Sequence, residues 1–107
     1  MIKHIVLWRL KDHAMGASKK ENAAKLKALL ETLRDTLKEI KYLEVGINAG
    51  AGDVSPQAVD VALYSEFATW DDLEAYQKHP EHLKVAAFVQ EVRLDRYVVD
   101  YEMPDIT

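Results

Sequence analysis

Four histidines are the side chains in this sequence whose ordinary pKa lies closest to neutral pH, and two of them, His79 and His82, stand three apart in the stretch YQKHPEH. The stretch has three readings. Histidine followed by proline is a natural helix stop, and an imidazole near a helix C-terminus is favoured by the helix dipole. Two imidazoles around Glu81 are ligand types for a divalent metal, although the spacing is not H-E-x-x-H and Pro80 breaks the register that would align the rings. In the third reading one imidazole is a general base beside Tyr76 and a carboxylate, because a neutral imidazole takes up a proton near pH 7. Tyr76 shares a helix face with Leu73, so it also fits an ordinary core tyrosine.

Two more groups stand where polar side chains are unexpected. His4 alternates with Val6 and Trp8, so its ring needs a hydrogen-bond partner if that face is buried. Asp100 sits in the apolar run YVVDY, where a carboxylate is costly unless something pairs with it. A histidine from the second helical region is the candidate partner. His13 lies in a polar loop and reads as exposed, and Asp60 and Glu66 alternate on a face read as partly solvated.

Elements that position these groups follow from periodicity. IKHIVLWRL, residues 2–10, is rich in β-branched and aromatic residues and predicts a strand with apolar residues on both faces. KDHAMGA is a loop. A long helix then runs from the Ser18–Glu21 capping-box pair, with an apolar stripe of Leu26, Leu30, Leu33, Leu37 and Ile40. KYLEVGINAG predicts a second strand and AVDVALYSEFA a third, with AGAGDVSPQ as a hairpin connection between them. Gly50 and Gly52 do not make a phosphate loop, since no G-x-x-x-x-G-K-[ST] pattern follows. TWDDLEAYQKH is a short helix capped by Thr69, and Pro80 breaks or restarts it. EHLKVAAFVQEVR continues as helix, with Leu83, Ala86, Ala87 and Val89 or Gln90 near one face. DRYVVDYEM is the last strand, and PDIT a tail.

The order strand–helix–strand–strand–helix–strand is the ferredoxin-like βαββαβ pattern, an α+β fold with one four-stranded antiparallel sheet and helices on one face. The opposite face keeps Ile5, Leu7, Tyr97 and Val99, so a cover is expected there, most simply a second copy in a two-fold homodimer.

Composition narrows the function. With 107 residues, 49% hydrophobic and 30% charged, the chain reads as one domain, residues 1–107. A net charge of −4 argues against nucleic acid as a partner. There are no cysteines, which removes disulfides and thiolate chemistry. No apolar run is long enough to span a bilayer, and the opening MIKHIVLWRLKD is too interrupted for a signal peptide, so no membrane association and a cytoplasmic location are expected.

IKHIVLWRLKD at the start, YQKHPEH in the second helical region and VVDYE at the end resemble the stress-responsive A/B barrel (Dabb) family. The resemblance covers nearly the whole chain, and the H-P-x-H element with a histidine early in strand one is its most specific part. It implies a dimeric α+β barrel with a pocket between the sheet and the helices. One enzyme of the family, a plant polyketide cyclase that forms olivetolic acid, performs an aldol condensation without a metal. Carried over residue by residue, the resemblance implies Tyr76 and His82 as the catalytic pair. It also implies His4 as a pocket histidine, Asp100 as the hydrogen-bond partner of the catalytic histidine, and His79 as structural. Val61 stands where the cyclase has a further histidine, so the resemblance covers the acid/base residues and does not extend to the substrate. The expectation is metal-independent proton abstraction beside a carbonyl, with no cofactor and with a small apolar carbonyl or acid ligand. Its alternative is a non-catalytic binding or stress-response protein using the same pocket.

Overall fold

The computed structural model describes residues 1–50 and 57–104. The connection AGAGDVSPQ and the tail PDIT fall largely outside them. The element order is β1 (Ile2–Leu10), β2 (His13–Ala14), β3 (Ala17–Ser18), α1 (Lys19–Thr36), β4 (Ile40–Ile47), β5 (Val61–Phe67), α2 (Trp70–Lys78), α3 (Pro80–Val92) and β6 (Arg93–Glu102).

Strands β4, β5, β1 and β6 form one antiparallel sheet in that spatial order. β1 is therefore central, flanked by β5 and β6, which explains its apolar residues on both faces. Ile2, His4, Val6, Trp8 and Leu10 are buried on the helix side. Val61, Leu63, Ser65 and Phe67 of β5 bury on that same side, as period-two alternation requires.

Ser18 and Glu21 close a full capping box on α1. The helix buries Leu26, Leu30 and Leu33, with Leu37 as its buried C-cap. Ile40, expected on the helical stripe, is instead the first residue of β4, because Leu37 leaves helical geometry at φ −103°, ψ 112°. The loop KDHAMGA contains a small hairpin, β2 against β3. Its turn places Met15 at φ 53° and Gly16 at φ 72°, the two positive φ values that a two-residue hairpin favours.

His79 separates α2 from α3. Its backbone N–H closes α2 on the Tyr76 carbonyl, and its Nδ1 accepts from the Glu81 N–H at 3.1 Å. Pro80 then occupies the first turn of α3, where its missing donor costs nothing. α3 buries Val85, Val89 and Val92. Leu83, expected on the core face, is 53% exposed, because the stripe of α3 follows the 4–3 spacing of these valines.

The helices cover one face of the sheet. Opposite, Ile5 pairs with Val99 and Leu7 with Tyr97, and Val99 and Tyr97 are each 51% exposed. Lys3, paired in register with Glu66 and bonded to it at 2.6 Å, borders this apolar area. Glu66 also accepts from the Tyr64 hydroxyl at 2.6 Å, so it is matched by protein groups rather than left to solvent. Asp60 likewise accepts from the Leu10 N–H at 2.8 Å and closes the end of β1.

Candidate functional site

Between the sheet and the helices lies a cavity of about 250 Å³. Val6 and Trp8 from β1, Leu63 from β5, Leu30 from α1 and Val85 and Val89 from α3 make its apolar walls. Its polar lining is His4, Tyr76, His82 and Gln90, with Arg93 and Arg96. The volume lies just under the range of about 300–1,000 Å³ typical of drug-sized pockets, so it suits a small molecule.

Tyr76 faces the core from α2 and is fully buried. Its hydroxyl has no hydrogen-bond partner among the described residues. Burial pushes that hydroxyl well above the ordinary phenol value, and the Arg96 charge opposes this only in part. Tyr76 is thus a neutral donor. Trp8 Nε1, 4% exposed, is a second buried donor without a partner among the described residues. Leaving such a donor unmatched costs roughly 1–3 kcal/mol.

His82 stands over Tyr76, with ring centroids 4.5 Å apart. Its Nδ1 lies 3.1 Å from the Gln77 carbonyl oxygen. A carbonyl only accepts, so Nδ1 carries the proton and the neutral ring keeps its lone pair on Nε2. Desolvation lowers the His82 pKa, the Gln77 carbonyl raises it, and His4 and Arg96 lower it further. The imidazole is therefore held neutral, in a form that takes up a proton.

His4 is 2% exposed, and its Nδ1 lies 2.5 Å from an Asp100 carboxylate oxygen. The two residues stand directly opposite each other in the β1–β6 ladder. This corrects one expectation: Asp100 was to orient His82, and it pairs with His4 instead. The reason is geometric. Register places Asp100 across from His4 on the same face of the sheet, whereas His82, in the first turn of α3, meets the Gln77 backbone carbonyl near the end of α2. Asp100 consequently meets the cavity through His4.

Of the residues singled out from sequence, Tyr76, His82 and His4 share the cavity, while His79 serves the junction between helices. The two histidines of YQKHPEH are thus committed to different backbone groups. Among the described residues no cluster of three or more histidines and carboxylates could hold a metal ion. His13 is exposed in the small hairpin. Trp8, Gln90, Arg93 and Arg96 were not singled out. Arg96 had a readable signal, since it shares the period-two face of Asp100; Arg93 had none, because it sits where α3 passes into β6.

Among the described residues no helix is long and apolar enough to cross a membrane. The chain is similar to a dimeric protein of unknown function with a ferredoxin-like fold from Bacteroides fragilis, at 34% identity and TM-score 0.79, covering 95% of each chain. It is similar to a dimeric ferredoxin-like protein of unknown function from Thermobifida fusca, at 24% identity and TM-score 0.79, covering 95% of this chain and 90% of that one. A hydroxynitrile lyase from Passiflora edulis shares the fold at 20% identity and TM-score 0.78, covering 99% of this chain and 95% of that one. No curated protein matches. The family model described as the stress-responsive A/B barrel domain matches residues 2–103. With the four-stranded sheet and its helices in place, the chain belongs to the stress-responsive A/B barrel (Dabb) family.

Proposed function

We propose that this protein binds a small carbonyl compound in the cavity between sheet and helices and catalyses metal-independent proton abstraction beside the carbonyl, as in a cyclase or aldol-type reaction. The observation that carries this reading is the Tyr76–His82 pair. One ring is a neutral imidazole with its lone pair on Nε2, and the other is a buried phenol with an unmatched O–H, 4.5 Å away by centroid. The imidazole takes the proton. The phenol donates to the oxygen on which enolate charge develops, where a donor in a dry site is worth most. His4, held by Asp100, fixes the floor of the pocket. The resemblance to the plant polyketide cyclase supports the same pair. The lyase of similar fold supports only that this fold accommodates an enzyme.

The test is hydrogen–deuterium exchange at an activated methylene, followed by NMR for the wild type, His82→Gln and Tyr76→Phe. Equal exchange in all three would sink the catalytic reading. A second reading, ligand binding without turnover, is favoured by one observation: Asp100 bonds to His4, and among the described residues no carboxylate bonds to His82 to stabilise its protonated form. Saturable ligand binding with no exchange above buffer would select it.

The same reading covers assembly. A second copy of the chain packs on the uncovered sheet face, making a homodimer over Ile5, Leu7, Tyr97 and Val99. The apolar exposure of that face and the dimeric state stated for two relatives support it.

A further inference from the structure

Arg93 and Arg96 line the cavity beside its apolar walls. Arg93 ends α3 and opens β6, and Arg96 stands opposite Trp8 in the β1–β6 ladder. Neighbouring cations on the sheet are matched: Arg9 reaches Asp95 at 2.7 Å and Lys3 reaches Glu66 at 2.6 Å. Asp100, on the same strand face as Arg96, gives its carboxylate to His4. Among the described residues neither Arg93 nor Arg96 has a side-chain hydrogen bond or an ion pair. The chain carries 18 acids against 14 bases, so counter-ions are not scarce. Two guanidinium groups without carboxylates at one cavity are a feature of the site.

The polarity of the cavity is ordered. At one end Tyr76, packed beside His4 and Phe67, presents a neutral donor without a partner among the described residues; Trp8, four residues along β1 from His4, lies at the other end with Arg96. A carboxylate beside Tyr76 would have to be stripped of water near the Asp100 carboxylate that His4 holds, at a cost that a ketone oxygen avoids. At the arginines the fork geometry of guanidinium matches a carboxylate, and its charge persists at every relevant pH.

We infer that the cavity selects a small oxo acid, with its ketone oxygen at Tyr76, its apolar body against Val6, Leu63 and Val89, and its carboxylate on Arg93 and Arg96 beside Trp8. The inference rests on the proposed ligand pocket and names its substrate class. It does not require that His82 perform chemistry.

The probes are 4-oxo-4-phenylbutanoate and its methyl ester, which differ in charge and share the ketone and the ring. Binding of each is measured by titration calorimetry and ligand-observed NMR, to the wild type and to the double variant Arg93→Gln, Arg96→Gln. Circular dichroism and thermal melting check that the variant is folded, and each single variant repeats the measurement. The acid is expected to bind the wild type about tenfold more tightly than the ester, the discrimination of a charge-assisted contact at a partly open site. The double variant is expected to lose that preference while still binding the ester. Equal binding of acid and ester by the wild type, a preference that survives the double variant, or no binding of either probe overturns the inference. Deuterium exchange beside the ketone is read on the same samples. Arginine-dependent binding without exchange leaves the anion subsite standing and removes the catalytic reading. Exchange of acid and ester at equal rates and affinities does the reverse.

Discussion

His4 Nδ1 and an Asp100 carboxylate oxygen lie 2.5 Å apart across the β1–β6 ladder, joining a buried imidazole to an edge strand. Replacing Asp100 with alanine leaves a ring nitrogen of His4 unmatched in the core. A loss of about 1–3 kcal/mol is expected in urea unfolding at pH 7. The His82 ring N–H should keep its hydrogen bond to the Gln77 carbonyl, seen as an unchanged Nδ1–H resonance, since Gln77 and not Asp100 holds that ring. Loss of that resonance in Asp100→Ala would contradict the pairing.

Tyr76→Phe should separate stability from activity. The hydroxyl has no partner among the described residues, so removing it is expected to leave the melting temperature unchanged or raise it. Proton exchange on a bound ketone should fall about 10²-fold or more, as for the loss of one donor to a developing oxyanion. A clear drop in melting temperature would show that the hydroxyl is matched in the folded protein.

His82 should titrate below the ordinary histidine value, because desolvation disfavours its charged form. The unfolded chain then binds more protons than the folded one between the two pKa values, so stability rises with pH across that window. The contribution is fully present above about 6.5 and is lost as pH falls through the lowered folded value. Urea unfolding between pH 4.5 and 8 should show this slope in the wild type and a shallower one in His82→Gln. Identical slopes would mean that His82 is not desolvated.

The sheet face opposite the helices tests assembly. Val99→Lys sets a charge beside Ile5, its cross-strand partner, and Tyr97→Glu does the same beside Leu7. Light scattering after size exclusion is expected to give twice the 12.2 kDa chain mass for the wild type and the monomer mass for the double variant. A wild type that stays monomeric at tens of micromolar would remove the dimer.

Much of the fold was legible because its signals are local. The capping pair Ser18–Glu21, the leucine stripe of α1, the alternation of β5 and the His79–Pro80 junction each depend on residues within one or two turns. Misreadings came at boundaries and faces. Ile40 continues the spacing of the leucine stripe, yet Leu37 has already left the helix. Leu83 is as apolar as the valines of α3, but it lies off the buried stripe of Val85, Val89 and Val92.

The candidate site divides along the same line. The sequence by itself determined which side chains were available for proton transfer, that His4 and Asp100 each needed a partner, and that a strand–helix–strand–strand–helix–strand chain would leave one sheet face uncovered. Only the tertiary structure decided who partners whom. Strand register gives Asp100 to His4, helix geometry gives His82 the Gln77 carbonyl, and packing seals Tyr76 with its hydroxyl unmatched. It also brought Arg93 and Arg96 beside a cavity whose other polar groups lie up to 92 residues away in the chain, from His4 to Arg96. Hydrogen-bond partners and cavities are made by segments remote in sequence, and no local spacing encodes which of several candidate groups will meet.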